Sequence, residues 1–324
     1  MILITGGTGF IGSHLVEAVC ARGEPLRCLI RHDSLKRHPF ALPAQAELVF
    51  GDLVSGEGLR DALKGVSTVI HLAGVTKALW TSEFYSGNAQ ATENLARAVT
   101  GRGVRFVHVS SLAAIGPSSD GTPLSDDAEP HPVTHYGTSK LEGERIARAL
   151  VPDAVIVRPA VVYGPRDTDV LEMFRSINRG FALEISGGEH WFQAIYVKDL
   201  ADGLLAAACS PQAGGRAYFL AHKKAVSWSE WNSAAAHVMR KQMRALRIPL
   251  PLAYAVGGLA EVCSRLTGKP VIISREKVKE AQCRHWTCDT RRAAQELGFE
   301  AQTPLELGLA QTLAWYKEAG WLKY

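Results

Sequence analysis

The stretch MILITGGTGFIG, residues 1–12, decides the fold. Residues 1–5 form an apolar run that predicts a buried strand. An amphipathic stretch from Ile11 to Ala21 follows the glycines and predicts a helix. A strand, a glycine turn and a helix in this order are the opening unit of a sheet whose strands alternate with helices.

The glycines of this turn are spaced as a phosphate-binding loop requires. Gly6 permits the tight turn, Gly9 lets the backbone approach a pyrophosphate, and Gly12 allows close packing of helix on strand. Phe10 and Ile11 complete the loop, and the start of the helix offers unpaired N–H groups to an anion. We therefore predict a dinucleotide site here.

The alternation of strand and helix continues through the first half of the chain. Continuously apolar strands that alternate with helices predict a doubly wound parallel α/β sheet covered on both faces. In such sheets the ligand lies beyond the carboxyl ends of the strands. The predicted strands are residues 1–5, 26–30, 47–50, 67–72, 105–109 and 154–157, and the predicted helices are 11–21, 89–99 and 138–150.

The regular alternation of strand and helix breaks down after about residue 166. The segments 194–197 and 199–209 still resemble a strand and a helix of the sheet, whereas 221–324 is mostly helical and irregular. We predict a dinucleotide-binding domain of residues 1–165 plus about 194–220. A smaller, mainly helical substrate domain would comprise about 166–193 plus 221–324.

Composition excludes several classes of protein. The chain has 324 residues, of which 47% are hydrophobic and 21% charged, as in ordinary globular proteins. Its 36 basic and 32 acidic residues leave a net charge of only +4, which argues against nucleic-acid binding. No stretch reaches the roughly 18 uninterrupted apolar residues of a membrane span. The nearest, Ile248–Cys263, predicts a buried or hydrophobic-faced helix, with a membrane-surface or partner contact as the alternative.

Cysteine usage favours a reducing compartment. The six cysteines are dispersed without a Cys-x-x-Cys pair, and no secretory leader precedes the first strand. We therefore expect a cytoplasmic protein. Cys283, His285 and Cys288 lie close together, but three such residues without a fourth ligand do not predict a zinc site, so we expect no metal.

The end of the second strand favours NADP over NAD. The dinucleotide pattern places an acid about 20 residues after the glycines to bind the ribose 2′-hydroxyl, or an arginine to accept a 2′-phosphate. Here Ile30 occupies the acidic position and Arg31 follows it. Asp33 could still reach the ribose, so NAD remains the alternative.

Tyr136 and Lys140 form a candidate catalytic pair. Their spacing of four places them on one face of the helix predicted over this region. A nearby ammonium and an oxidised nicotinamide would lower the pKa of the phenol from about 10. Tyr136 could then exchange a proton with a carbonyl or an alcohol as hydride moves.

Six segments in order resemble the extended short-chain dehydrogenase/reductase superfamily, also called the NAD-dependent epimerase/dehydratase family. The resemblance is dense from residue 1 to about 200 and thinner afterwards. The segments are TGGTGFIG (5–12), Gly51-Asp52-Leu53, His71-Leu72-Ala73-Gly74, Val109-Ser110-Ser111, YGTSK (136–140) and RPAVVYGP (158–165).

The resemblance implies roles for individual residues. Tyr136 and Lys140 match the catalytic tyrosine and lysine, and Ser111, rather than its neighbour Ser110, matches the serine that holds the reacting oxygen. Lys140 would also hold the nicotinamide ribose. Asn88 matches a family asparagine, with a helix cap or a packing residue as the alternative. Further implied cofactor contacts are Asp52, Leu53, Leu72, Ala73, Gly74, Asn88, Pro159, Ala160 and Val162.

The sequence departs from the sugar-nucleotide members of the family. Ser111 is followed by Leu112-Ala113 instead of the two acids of the 4,6-dehydratases. Val161 and Phe192 stand where the epimerases carry an asparagine and an arginine for the diphosphate, although Arg166 or Lys77 could compensate. The remaining pattern is similar to the dihydroflavonol reductase and 3β-hydroxysteroid dehydrogenase branches.

Several residues are candidates for the substrate wall, although aromatic residues at such spacings are more often core. They are Lys77, Trp80, Phe84, Tyr85, Trp191 and Phe192.

Three functional hypotheses follow. The first is an NADPH-preferring oxidoreductase acting on a ketone or secondary alcohol of a fairly apolar small molecule. The second is a nucleotide-sugar epimerase with bound NAD, and the third is a cofactor-sensing protein without catalysis. The resemblance also implies a homodimer.

Overall fold

The computed structural model describes residues 1–34, 42–185, 188–268 and 274–323. At its centre is a seven-stranded sheet in which every neighbouring pair of strands is parallel. The strands are β1 (Ile2–Thr5), β2 (Leu26–Ile30), β3 (Glu47–Phe50), β4 (Thr68–His71), β5 (Arg105–Val109), β6 (Val155–Pro159) and β11 (Ala217–Leu220).

The order of the strands in the sheet is β3-β2-β1-β4-β5-β6-β11. The chain adds β2 and β3 on one side of β1 and then crosses to β4 on the other side, so the strand order reverses between β1 and β4. Such a reversal opens a crevice at the carboxyl ends of the two strands, which is where dinucleotides bind. The central strands are apolar because both of their faces are covered, and Leu3 and Ile4 have no exposed surface. The edge strand β3 exposes more of its side chains, including Phe50. The structure confirms the predicted doubly wound fold.

Helices cover both faces of the sheet. One buried cluster joins β1 to the helices α1 and α7, and a second lies on the opposite face beneath α4 and α5. The helices of the first two-thirds of the chain are α1 (Phe10–Ala21), α2 (Leu59–Ala62), α3 (Thr81–Tyr85), α4 (Ala91–Val99), α5 (His135–Leu150), α6 (Asp169–Asn178) and α7 (Val197–Cys209).

The rest of the chain is mainly helical, as expected, and has its own buried cluster. Trp231 and Tyr316 belong to this cluster together with Phe174 of α6. Its helices are α8 (Trp228–Met239), α9 (Leu250–Thr267), α10 (Arg275–Ala281), α11 (Arg291–Leu297) and α12 (Leu305–Glu318). Short strands supplement them: β7 (Val161–Tyr163), β8 (Phe181–Ile185), β9 (Trp191–Phe192), β10 (Ala194–Tyr196), β12 (Val226–Ser227), β13 (Arg244–Ile248) and β14 (His285–Trp286).

The predicted helix 89–99 begins earlier and differently in the structure. A π-helical turn, Ser86–Gln90, leads into α4. Such turns are rare and frequently occur at functional sites, because the extra residue redirects the backbone groups of one turn. The spacing of apolar residues along a sequence does not reveal one extra residue within a helical turn.

The apolar segment 248–263 begins at the last residue of β13 and forms most of α9, where the side chains of Leu252, Val256, Leu259 and Val262 are exposed rather than buried. Among the described residues, no helix is both long and apolar enough to cross a membrane.

Candidate active site

The candidate residues gather at the carboxyl edge of the sheet, because each follows directly on a strand. The glycine loop follows β1, Arg31 follows β2, and Asp52 comes two residues after β3. On the other side of the crevice, residues 72–74 follow β4 and Ser110-Ser111 follow β5. Parallel strands end at one edge, so these segments share one crevice.

The glycine loop is a tight cradle. Gly6 adopts a φ of +74°, a conformation that side chains rarely accept. A β-carbon at position 12 would lie 2.1 Å from the carbonyl oxygen of Gly6, so only glycine fits there. Gly9 begins α1 with no side chain capping its N–H groups, and no acid stands in the first turn. With Phe10 and Ile11 half-buried, the loop keeps free donors and a positive helix end for a pyrophosphate.

The residues after β2 and β3 lie at the adenosine end of the crevice. Arg31 is exposed, and its Nε lies 3.8 Å from Oδ1 of Asp33. The ring of His32 stacks on Phe50 with centroids 4.5 Å apart. One carboxylate oxygen of Asp52 accepts a hydrogen bond from the backbone N–H of Val54, in the same turn, at 2.6 Å. Leu53 is half-buried against the second sheet cluster.

Asn88 holds the loop that follows β4. Its Oδ1 accepts from the N–H of Val75 at 2.7 Å, and its Nδ2 donates to the carbonyl of Val75 at 3.0 Å. The same Nδ2 donates to Oγ of Ser139 on α5 at 2.8 Å. The side chain is buried and its hydrogen bonds are all to protein groups, so it holds the Gly74–Val75 loop in place.

The start of α5 positions the catalytic pair. The hydroxyl of Thr134 caps the helix by accepting from the N–H of Gly137 at 3.1 Å. Gly137 rests against the 3-10 turn Leu112–Ala114, where a β-carbon would lie 2.3 Å from the carbonyl oxygen of Ala113. This close approach brings Tyr136 beside Ser111.

The hydroxyl of Ser111 lies close enough to the phenol of Tyr136 to lower its pKa, but burial raises that pKa more. Ser111 also accepts from the N–H of Ala113 at 3.1 Å, which orients its side chain. The hydroxyl of Ser110 is buried and makes no hydrogen bond within the described residues. The structure thus brings Ser111, and not Ser110, to the tyrosine.

Lys140 lies one turn further along α5, buried between the sheet and the crevice. Its Nζ donates to the carbonyl of Val109 at 2.7 Å and lies 3.7 Å from the position that a β-carbon would take at Gly74. Burial lowers the pKa of Lys140 to about 8, against the opposing effect of Glu144. A cofactor sugar beside Gly74 would therefore meet this ammonium.

The electrostatics of Tyr136 differ from the sequence-based prediction. The ammonium that lowers the pKa of the phenol is that of Lys277 on α10, with Glu280 opposing it, whereas Lys140 is not among the causes. Lys277 comes from a helix 137 positions further along the chain than Lys140. No motif or spacing in the sequence pointed to it, because only the tertiary fold brings α10 to α5.

The residues at and after the end of β6 are apolar. Pro159 ends β6, Ala160 is 9% exposed, and Val162 is half-buried against the core. Val161, which stands in place of the epimerase asparagine, is 39% exposed.

The candidate substrate residues fall into two groups. Phe84 lies beside Tyr136 with ring centroids 6.2 Å apart, and Tyr85 contacts His135. Trp80 is 57% exposed, and Lys77 is ion-paired to Asp169 of α6.

The other two candidates belong to the small sheet in the second half of the chain. Trp191 is half-buried in β9. Phe192 is 3% exposed and packs on Trp228 and Trp231. The structure therefore places Phe192 in the core, and we do not carry it forward as a wall residue.

Comparisons with known proteins agree with this geometry. The model of the "NAD dependent epimerase/dehydratase family" matches residues 2–221. A ceramide reductase of Caulobacter vibrioides is 34% identical over 322 residues, which cover 99% of this chain and 96% of the relative. A 4-hydroxy-2-methyl-3-oxo-4-farnesyl-3,4-dihydroquinoline-1-oxide ketoreductase of Stigmatella aurantiaca is 28% identical and is covered to 93%, with 94% of this chain matched.

Among solved structures, MoeE5 in complex with UDP-glucuronic acid and NAD superposes with a TM-score of 0.78. The two sequences are 27% identical, and the match covers 98% of this chain and 99% of MoeE5.

Proposed function

Because the chain belongs to the NAD-dependent epimerase/dehydratase family, we propose that it reduces the ketone of a fairly apolar, long-chain molecule with NADPH. The chain is an NAD(P)-dependent oxidoreductase of the extended short-chain type. The observation that carries the proposal is the close approach of α5, with Tyr136 and Lys140, to the turn that follows Ser111, at the same sheet edge as the glycine loop.

The residues of the crevice fit a dinucleotide. The uncapped start of α1 and the glycine cradle suit the pyrophosphate, Arg31 suits a 2′-phosphate, and Lys140 suits the nicotinamide ribose. When bound, NADPH supplies the hydride that reduces the carbonyl carbon.

The protein's own groups would manage the oxygen of the carbonyl. The hydroxyls of Ser111 and Tyr136 would together hold that oxygen. Tyr136 would donate its proton to the oxygen as the carbon is reduced, which yields a secondary alcohol. The elevated pKa of the phenol keeps it protonated at neutral pH, the state that reduction requires.

The substrate class rests on what replaces the diphosphate contacts. Val161 is apolar and partly exposed, and Phe192 is buried in the core, so neither can bind a phosphate. The names of the ceramide reductase and the farnesyl-bearing ketoreductase support a lipid-like substrate. We propose that the substrate domain comprises about 166–193 plus 221–324, as expected from the sequence.

A nucleotide-sugar epimerase is the second candidate, favoured by the likeness to MoeE5 with its bound UDP-glucuronic acid and NAD. An epimerase returns its hydride to the same substrate, so its NAD turns over without net consumption.

One experiment separates the two. The purified protein would be examined for bound cofactor and then given NADPH with long-chain 3-oxo amides, with UDP-sugars as the comparison. Consumption of NADPH with the keto lipids supports the reductase. Copurified NAD⁺ together with interconversion of UDP-sugars, and no NADPH consumption, would replace it with the epimerase.

A further inference from the structure

The helix α9, Leu250–Thr267, turns its large apolar side chains towards solvent. Leu259 is 67% exposed and Leu266 is 82% exposed. The exposed residues recur at intervals of three and four, which places them on one side of the helix. We call this side the apolar stripe, and it consists of Leu252, Ala255, Val256, Leu259, Val262, Cys263 and Leu266.

The opposite side of α9 is built from small residues. Ala253, Gly257 and Ser264 are the buried ones. A β-carbon on Gly257 would lie 3.0 Å from the backbone nitrogen of Arg275, so α9 rests closely on the start of α10. A helix on the surface of a soluble protein normally faces the core with its large apolar residues. In α9 this arrangement is inverted, and a contiguous exposed stripe of this kind marks an interaction surface.

The stretch of chain that contains the stripe is rich in positive charge. Between residues 240 and 268 the chain has five basic residues and one acid, an excess equal to the net charge of +4 of the whole protein. The acid, Glu261, is held at 2.7 Å by Arg275 on the inner side. All five basic residues are exposed: Arg240, Lys241, Arg244, Arg247 and Arg265.

We propose that α9 docks the protein on the surface of an anionic phospholipid membrane. The apolar stripe would enter the boundary between headgroups and acyl chains, and the basic residues would meet the anionic headgroups. On such a surface, a helix of 18 residues with one apolar side would lie in the plane of the membrane.

Charge decides between a membrane and a second copy of the chain. Two copies joined through their stripes would bring like charges together, because Arg265 lies on α9 itself and Arg244 and Arg247 lie on the preceding strand. An anionic surface neutralises those same charges. The charge pattern therefore favours lipid as the occupant.

The stripe borders the candidate active site. Helix α10 lies beneath the stripe. The carboxylate of its Glu276 accepts a hydrogen bond from the backbone N–H of His135 at the start of α5. The guanidinium of Arg265 lies 5.6 Å from the centre of the ring of Trp80, which precedes α3. A docked molecule would thus present this side of the crevice to the bilayer, although docking itself does not depend on the proposed reaction.

Vesicle sedimentation tests the proposal without cofactor or substrate. Full-length protein would be mixed with vesicles of phosphatidylcholine alone or with about one-third phosphatidylglycerol. We expect sedimentation with the anionic vesicles, little with the neutral ones, and weakening as salt is raised. The double variant Leu259→Gln/Leu266→Gln should lose about tenfold or more of its binding.

Two controls make the result specific. Leu307→Gln removes a similarly exposed leucine, 49% accessible, from the distant helix α12 and should sediment like the unchanged protein. Circular dichroism would show that each variant is folded, as expected for changes at exposed positions. Equal sedimentation of the unchanged protein and the stripe variant, or none with anionic vesicles, overturns the proposal. A stripe variant that only converts a dimer to a monomer by light scattering overturns it in favour of a second copy.

Discussion

At the scale of single residues, the proposed chemistry depends on Ser111 and Tyr136. The hydroxyl of Ser111 lies close enough to the phenol to affect its pKa, and burial keeps the phenol protonated. Burial raises the pKa of the phenol, whereas the hydroxyl of Ser111 and the charge of Lys277 lower it. A carbonyl oxygen placed between these hydroxyls would meet a donor at once.

Tyr136→Phe should abolish turnover and leave NADPH affinity nearly unchanged. The ring remains against Phe84, whereas the transferable proton is lost, so a fall of about 10²-fold or more in kcat is expected. Steady-state kinetics and calorimetric titration would measure the two properties. The matched control is Tyr254→Phe, which removes a hydroxyl on α9 that hydrogen-bonds Gln282. Full activity in the Tyr136 variant would remove the residue from the mechanism.

Arg31→Ala should weaken NADPH binding much more than NADH binding. The exposed guanidinium stands immediately after β2, where a 2′-phosphate would lie, and the loss of a charged contact costs about 1.5–3 kcal/mol. Calorimetric titration with both cofactors measures the difference. The control is Arg22→Ala, on the surface at the far end of α1, which should leave both affinities unchanged. Equal losses for NADPH and NADH would argue against the phosphate role.

At the scale of elements, α5 and the π-helical turn Ser86–Gln90 form one unit. Asn88 ties the turn to Ser139 on α5 and to the backbone of Val75. Lys140 lies beside Gly74 on the same loop. The position of the ammonium and the shape of the cofactor channel are therefore coupled through one buried amide.

Asn88→Ala should destabilise the protein by about 2–4 kcal/mol and weaken NADPH binding. Three hydrogen bonds disappear, and the half-buried N–H and carbonyl of Val75 lose their partner. Chemical denaturation and calorimetric titration would show both effects. Gln90→Ala, at an exposed position of the same turn, is the control and should change neither. An Asn88 variant that binds NADPH as tightly as the unchanged protein would contradict the coupling.

At the scale of the whole molecule, two histidines lie buried in the middle of the sheet. The register of β4 and β5 pairs His71 with His108, with ring centroids 5.4 Å apart. Burial first, and then the charge of Lys140, lowers the pKa of both, that of His71 to about 3. His71 has Thr5 and Thr92 as partners at 2.7 and 3.0 Å. His108 makes no hydrogen bond within the described residues.

These histidines make the free energy of unfolding sensitive to acid. In the unfolded chain these imidazoles take up protons near pH 6.5, whereas in the folded protein they stay neutral. The free energy of unfolding therefore falls as the pH drops below about 6.5. For His71 the loss at pH 5 is about 2 kcal/mol. Asp126 and Asp167 act oppositely, because burial raises their pKa values to about 6 and about 7.

His108→Val isolates the histidine contribution from that of the aspartates. The variant should gain stability relative to the unchanged protein as pH is lowered from 7.5 to 5, since one buried imidazole no longer has to remain neutral. Chemical denaturation at several pH values measures this difference. His237→Val, at an exposed position, serves as control and should show a constant difference. A constant difference for His108→Val as well would refute the assignment.

Local patterns were enough to predict the sheet and the cofactor loop. The bounds 26–30, 47–50 and 105–109 agree with β2, β3 and β5, because apolar strands closed by turns carry their own signal. Gly6 and Gly12 sit as predicted, since a turn with positive φ and a close backbone approach exclude other residues. The pairing of Tyr136 with Lys140 follows from helical spacing alone.

The sequence by itself determined the parallel sheet, the phosphate loop and the catalytic helix, because each depends on neighbours within about one turn or one strand. Only the tertiary structure decided what comes from far along the chain. Lys277 acts on the pKa of Tyr136 from a distant helix, His71 lies beside His108, and Phe192 packs in the core. The exposure of the apolar stripe on α9 was likewise decided by the tertiary structure. Apolar periodicity identifies the stripe, but which side of a helix is covered depends on what the rest of the fold places against it.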